Sequence, residues 1–269
     1  MKRRILLVVS ILLVFVGLAL LVVPRVSNQV GKQIAHSTIE DFKSLKSEAT
    51  ADEVTDEKPS GDSDINQEQQ GLQKSSETEL GENLENIPKT IKPNFTRLYM
   101  DSVIYNEALK QHQAELLINE QAYQKPSLNL SSYGIENNVY GYVYAPSIGL
   151  ELPIFLGGND DNMALGAAHM TYTSLPIGGE SSNCVLSGHS GYIGRIFFDY
   201  LPNLNIGDEI VVENYWNTLT YQVTRKQINK SYESADCFIT DGKDLLTLIT
   251  CISDGHGGFD RFYVIAERS

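Results

Sequence analysis

Cysteine occurs three times and tryptophan once in 269 residues. No Cys-x-x-Cys pair is present, and no cluster of Asp, Glu, His or Cys has metal-ligand spacing, so neither a metal nor a cofactor is expected. Three is an odd number, which leaves at least one thiol outside any disulfide. Positive charge is also scarce. Lys and Arg total 21 against 34 Asp and Glu, a formal charge of −13. No basic patch offsets that balance, which speaks against a nucleic-acid partner. The glycine-rich string Gly255-His256-Gly257-Gly258 lacks a Walker or dinucleotide context and reads as a loop. Internal repeats are missing too.

What is present begins with a long apolar run. Ile5 to Val23 holds only apolar residues plus Ser10 and Gly17. Nineteen residues at ~1.5 Å each give ~29 Å, close to the ~30 Å hydrocarbon core of a bilayer. The run is longer than a signal-peptide core, and no small-x-small cleavage site follows it before Pro24-Arg25. A retained transmembrane signal-anchor is therefore expected over residues 5–23 rather than a cleaved signal. Lys2, Arg3 and Arg4 precede it, so residues 1–4 form a cytoplasmic tail and the rest of the chain lies outside the cell membrane. From Glu40 to Glu85, fourteen acidic residues face four basic ones, and no aromatic follows Phe42. Such composition offers little apolar surface to offset ordering entropy, so residues 24–95 are expected to be an acidic disordered linker.

Residues 96–269 read as one folded domain. Arg97–Tyr123 is expected to be an amphipathic helix, with Leu98, Tyr105, Leu109 and Leu116 near helical spacing. Beyond Pro126 the texture changes to short β-rich runs separated by Gly, Pro and Asn. Strands are expected at Gly141–Ala145, Leu150–Phe155, Cys184–Ser187, Glu209–Glu213, Leu219–Lys226, Leu246–Thr250 and Phe262–Glu267. Small helices are expected around Met163–Ala168 and Ile196–Tyr200. Many short strands in about 130 residues suggest a closed all-β sandwich or barrel.

Three strand ends carry chemistry. Leu245-Leu246-Thr247-Leu248-Ile249-Thr250-Cys251 puts a thiol at the mouth of a buried strand, and Arg261 opens the return strand Arg261-Phe262-Tyr263-Val264-Ile265-Ala266. Upstream, Val185-Leu186-Ser187-Gly188-His189 breaks at glycine and presents an imidazole. A thiol, an imidazole and a guanidinium are the parts needed for acyl transfer through a thioester. Arg261 stays charged and cannot act as a base, so its useful work is to hold substrate and stabilise an oxyanion. Cys184 and Cys237 lie in apolar surroundings and read as small buried hydrophobes. His169 reads as structural, His256 as a loop residue, and Arg268 as a competitor of Arg261 at the other end of the last strand.

In these strings, from about Tyr140 to Arg268, the sequence resembles the sortases, membrane-anchored cysteine transpeptidases of mainly Gram-positive bacteria. Thr173-Ser174-Leu175-Pro176-Ile177-Gly178-Gly179, Phe198-Asp199-Tyr200-Leu201, Asn205-Ile206-Gly207-Asp208 and Tyr105-Asn106-Glu107-Ala108-Leu109 resemble the class C, or pilin-type, branch. The resemblance implies an eight-stranded β-barrel with short helices and a catalytic set of Cys251, His189 and Arg261. It also implies cleavage of a Leu-Pro-x-Thr-Gly-like sorting signal on surface proteins or pilins. The acyl group would then pass to an amine acceptor, a pilin lysine or a peptidoglycan precursor. Class C enzymes typically carry an Asp-Pro-aromatic lid, whereas this chain reads Gln124-Lys125-Pro126-Ser127-Leu128. They also often have a second, C-terminal span, and this chain stops at Ser269, soon after its last expected strand. Pilin assembly and cell-wall anchoring both stay open at this point. So do a cysteine peptidase that passes the thioester to water and a non-catalytic surface module.

Overall fold

The computed structural model describes residues 2–53, 92–116, 122–191, 197–231 and 233–269. The expected linker residues 54–91, part of the expected 97–123 helix, and Ile196 lie outside the described residues. The first element is one helix, α1 (Lys2–Glu53), which runs through Pro24. Residues 24–53 were expected to be disordered and are helical. Ala35, Ile39 and Phe42, spaced four and three apart, form a buried stripe on this helix. Phe42 packs against Tyr215 at 4.6 Å and edge-on to Tyr142 at 5.8 Å between ring centroids. Lys46 Nζ donates to Glu213 Oε1 at 3.0 Å and to the Asn214 carbonyl at 2.8 Å. Reading residues 24–95 as one segment by composition hides this stripe, because helix stability comes mainly from packing one face, not from mean composition.

Helix α2 (Phe95–Leu116) follows. Its buried face is Leu98, Ser102, Asn106, Leu109 and Gln113, so three of five positions are polar. Each is satisfied, as buried polar groups must be. Ser102 shares a 2.8 Å hydrogen bond with the Tyr140 hydroxyl. The Asn106 carboxamide accepts from Leu175 N and donates to Leu175 O. Gln113 accepts from Ile239 N and donates to Tyr172 O.

Eight strands then close a barrel: β1 (Val139–Ala145), β2 (Leu150–Leu156), β3 (Ala167–His169), β4 (Ser182–Ser187), β5 (Glu209–Asn214), β6 (Thr218–Asn229), β7 (Asp244–Ser253) and β8 (Phe259–Arg268). Their order around the barrel is β1-β2-β3-β4-β7-β8-β6-β5. The pairs β2/β3 and β4/β7 are parallel and the rest antiparallel. The eight-stranded barrel expected from the resemblance is therefore present, and all seven expected strands are found. The eighth, β3, was not foreseen. Its alanines fall in the expected 163–168 helix, but the helix α3 is a single turn, Asp160–Met163. Alanine favours a helix locally, and pairing with β2 and β4 overrides that preference. The helix expected at Ile196–Tyr200 is likewise absent over 197–200, and a single 3-10 turn at Leu201–Asn203 takes its place.

The registers assign the strand ends to two ends of the barrel. At one, β4 and β7 finish and β8 and β2 begin, with the Pro146–Gly149 turn and the 188–208 excursion beside them. Phe197, Phe198, Leu201 and Leu204 join the interior core there and plug the barrel. The opposite end holds the starts of β1, β4 and β7 and the Tyr215–Asn217 turn.

Candidate active site

Strand alternation explains which side chains share the outer wall. Leu246, Leu248, Phe262 and Val264 point into the barrel core, whereas Leu245, Ile249, Tyr263 and Ile265 pack outside it. By the same period of two, Cys251 and Arg261 face outward, and they sit directly opposite each other in the β7/β8 register. Arg261 Nη1 donates to Cys251 Sγ at 3.2 Å. On β4, Val185 packs outward and Leu186 inward. The β4/β7 register ends at Ser187 opposite Ile249, and continued by two residues it brings His189 level with Cys251.

Strand β4 leaves the sheet at Gly188, which is pinned on both sides. Its N–H donates to Ile249 O at 3.1 Å, and its carbonyl accepts from Thr250 Oγ1 at 2.8 Å. A Cβ at this position would lie 2.8 Å from the Phe198 ring, so only glycine lets the ring close over the bend that presents His189. Ser190 Oγ donates to the Cys251 carbonyl and ties the histidine segment to the thiol strand. The three candidates are thus brought together along one groove of about 610 Å³.

Asp260 could have paired with Arg261. Its partner is instead Lys230, at 3.0 Å, which leaves the guanidinium to the thiol. Arg268 lies at the far end of β8, opposite Tyr221, with its guanidinium 5.5 Å from that ring. Cys184 and Cys237 are buried and free. Burial pushes the Cys184 thiol well up and the Cys237 thiol up to about 12, the latter helped by Asp236. Neither supplies thiolate at neutral pH. His169 is fully buried between Ser127, Thr173 and Ser174, and burial lowers its pKa to about 4. His256 sits exposed in the β7–β8 turn. Among the described residues, no group of three His, Cys, Asp or Glu side chains could hold a metal ion.

Sequence reading did not find the rest of the groove. Tyr123, Met163, Met170, Tyr172, Phe238 and Tyr263 line it. Tyr263 comes from β8, Met163 from α3 and the others from three connections, and scattered single aromatics and methionines carry no local motif. The segment in the lid position is fastened to the barrel by its own backbone. Gly158 N donates to Tyr123 O at 2.9 Å, Asn159 Nδ2 to Gln124 O at 3.2 Å, and Thr171 Oγ1 to Lys125 O. Tyr123 lines the groove, while Gln124 to Pro126 are exposed.

Known proteins share this fold. The sortase domain family model matches residues 143–269. The pilus-related sortase C of Group B Streptococcus is 30% identical, with 63% of this chain and 90% of that one covered at a TM-score of 0.51. Sortase C of Clostridium perfringens, solved with the C-terminal cell wall sorting motif, is 29% identical over 65% of this chain and 88% of its own, at a TM-score of 0.54. Sortase A of Bacillus anthracis is 27% identical over 54% of this chain and 67% of that protein. The barrel order, the paired thiol and guanidinium and these matches together make the chain a member of the sortase family, with its likeness to the class C, pilin-type branch.

Proposed function

We propose that this chain is an anchored sortase in which Cys251 is the nucleophile, His189 the proton carrier and Arg261 the oxyanion donor. The observation that carries this reading is the 3.2 Å contact from Arg261 Nη1 to Cys251 Sγ at the mouth of a groove that His189 also lines. The nucleophile in this reading is the thiolate of Cys251, the reactive form of a cysteine.

Attack of that thiolate on the threonine carbonyl carbon of a Leu-Pro-x-Thr-Gly-like signal forms a tetrahedral oxyanion, which the planar guanidinium fork suits. Collapse breaks the Thr–Gly C–N bond. The imidazolium of His189 protonates the leaving amine, and a thioester remains on Cys251. Neutral His189 then takes a proton from the incoming amine as it attacks, and the thiolate leaves. The acceptor is a pilin lysine in pilus assembly, or a cell-wall peptide amine in surface-protein anchoring. The class C likeness favours the lysine.

The apolar run fits a retained anchor, because the same helix continues past Pro24 into a face packed on the barrel. In that reading the N-terminus is cytoplasmic and the barrel extracellular. Cleavage of a sorting-signal peptide by Cys251→Ala and Cys184→Ala tests the assignment. Cys251→Ala should lose turnover while keeping its fold, and Cys184→Ala should keep most activity. Turnover by folded Cys251→Ala removes the thiol from the mechanism. Products formed with and without an added amine separate transpeptidation from hydrolysis.

A further inference from the structure

The direction of α1 against the barrel has a consequence for how the enzyme stands on the membrane. Gly31, Lys32, Ala35 and His36 lie against Ile148–Leu152, at the barrel end that carries Cys251, His189 and Arg261. Further along the helix, Phe42 and Lys46 lie against Tyr142 and Glu213–Tyr215, toward the opposite end. The helix therefore runs from the catalytic end to the far end as its residue numbers rise. Everything before Gly31 projects past the catalytic end, and that is where the apolar run lies. Eight residues at ~1.5 Å, or ~12 Å, separate Val23 from Gly31. Pro24 can bend the helix by 20° or more, which tilts the barrel but does not reverse it.

We infer that α1 holds the barrel with its catalytic end turned toward the lipid surface, so that the thiol opens into the gap between protein and bilayer. This rests on the anchor reading above. The surface at that end agrees with it. Tyr200, Ile206, Ile228 and Phe259, four of the five large apolar side chains that the barrel domain beyond α2 exposes among the described residues, lie on its loops and strand ends; Leu165, in the β2–β3 crossover, is the fifth. Apolar exposure alone does not choose the end, because α2 exposes Tyr99, Met100 and Ile104 at the other. The helix direction chooses it. The catalytic rim also carries more carboxylates, Asp199, Asp208, Glu209, Asp254 and Asp260, than the cations Lys226, Lys230 and Arg261 beside them. Attraction to anionic headgroups is therefore not the cause, and zwitterionic lipid should serve as well. An acyl donor tethered to the same bilayer then meets Cys251 without having to span the barrel, whose ten-residue strands are each about 33 Å long.

The test uses the full chain carrying Cys251→Ala in phosphatidylcholine vesicles, with a fluorophore on an introduced cysteine at either end. Phe259→Cys marks the catalytic end and Thr218→Cys the far end. Quenching by headgroup-borne nitroxide should be severalfold greater at position 259. Inserting Gly-Ser-Gly-Ser-Gly after Ser27 should erase that difference while vesicle binding persists. Equal or greater quenching at position 218 on bound protein overturns the orientation, a difference that survives the insertion overturns α1 as the element that sets it, and either leaves the anchor standing. Failure to bind vesicles overturns the anchor and the orientation with it.

Discussion

Two arginines on β8 are chemically identical and differ in what stands opposite them. Arg261 faces Cys251 across the strand pair, whereas Arg268 lies over Tyr221 at the other end. Losing an oxyanion donor typically costs ~10²–10³ in kcat, and lysine lacks the planar fork. Steady-state kinetics should therefore find Arg261→Lys impaired on that order and Arg268→Lys nearly normal. A third residue, His169, sets a pH limit on folding. Its folded pKa of about 4 lies below the ordinary ~6.5. Between these values the unfolded chain binds a proton that the folded chain does not, so stability is intact above about pH 6.5 and falls as the pH drops toward 4. Denaturant melts across that window should show the slope, and His169→Gln should flatten it.

At the scale of elements, the connections build the groove and the strands fix its chemistry. The β6–β7 connection runs down the outer wall and brings Ser234, Cys237 and Phe238 to the groove. Its anchor is Asp236, buried and held by Arg225, Gln227 and Asn229. The Tyr123–Ser127 segment is clipped to Gly158, Asn159, His169 and Thr171, and its one described groove residue is Tyr123. A segment fastened this way gates the thiol weakly. Tyr123→Ala should change the rate of methanethiosulfonate labelling at Cys251 by less than about threefold, because thiolate fraction rather than access then governs reactivity. A much larger acceleration would make Tyr123 the plug of a working lid.

For the whole molecule, α1 is both the expected anchor and part of the fold. Ile39 and Phe42 are fully buried, and burying such side chains is worth roughly 1.5–3 kcal/mol each. A soluble version that starts at Ser27 keeps this contact, and one that starts at Lys92 uncovers Tyr142 and Tyr215. At ~2–4 °C per kcal/mol for a chain of this size, thermal melts should place the shorter version roughly 10 °C lower. Equal melting temperatures would mean that α1 rests on the barrel without stabilising it.

Cys251, His189 and Arg261 were legible as candidates because each sits where a β-rich run ends, and the period of two already puts the outward residues of a strand on one face. Seven strands were legible for the same local reason. Strand β3 was not, since three residues rich in alanine hold no β signal until β2 and β4 flank them. Nor was the α1 stripe, whose three apolar residues gain meaning only against the barrel wall, Ala35 beside Leu150 and Phe42 against Tyr142 and Tyr215. The sequence by itself determined the family, the candidate nucleophile and its partners, and the apolar run, all of which depend on residue type and short-range spacing. Tertiary structure decided which arginine meets the thiol, how the groove is lined and which barrel end follows the apolar run. Those depend on register and on contacts between residues far apart in the chain, which local spacing does not encode.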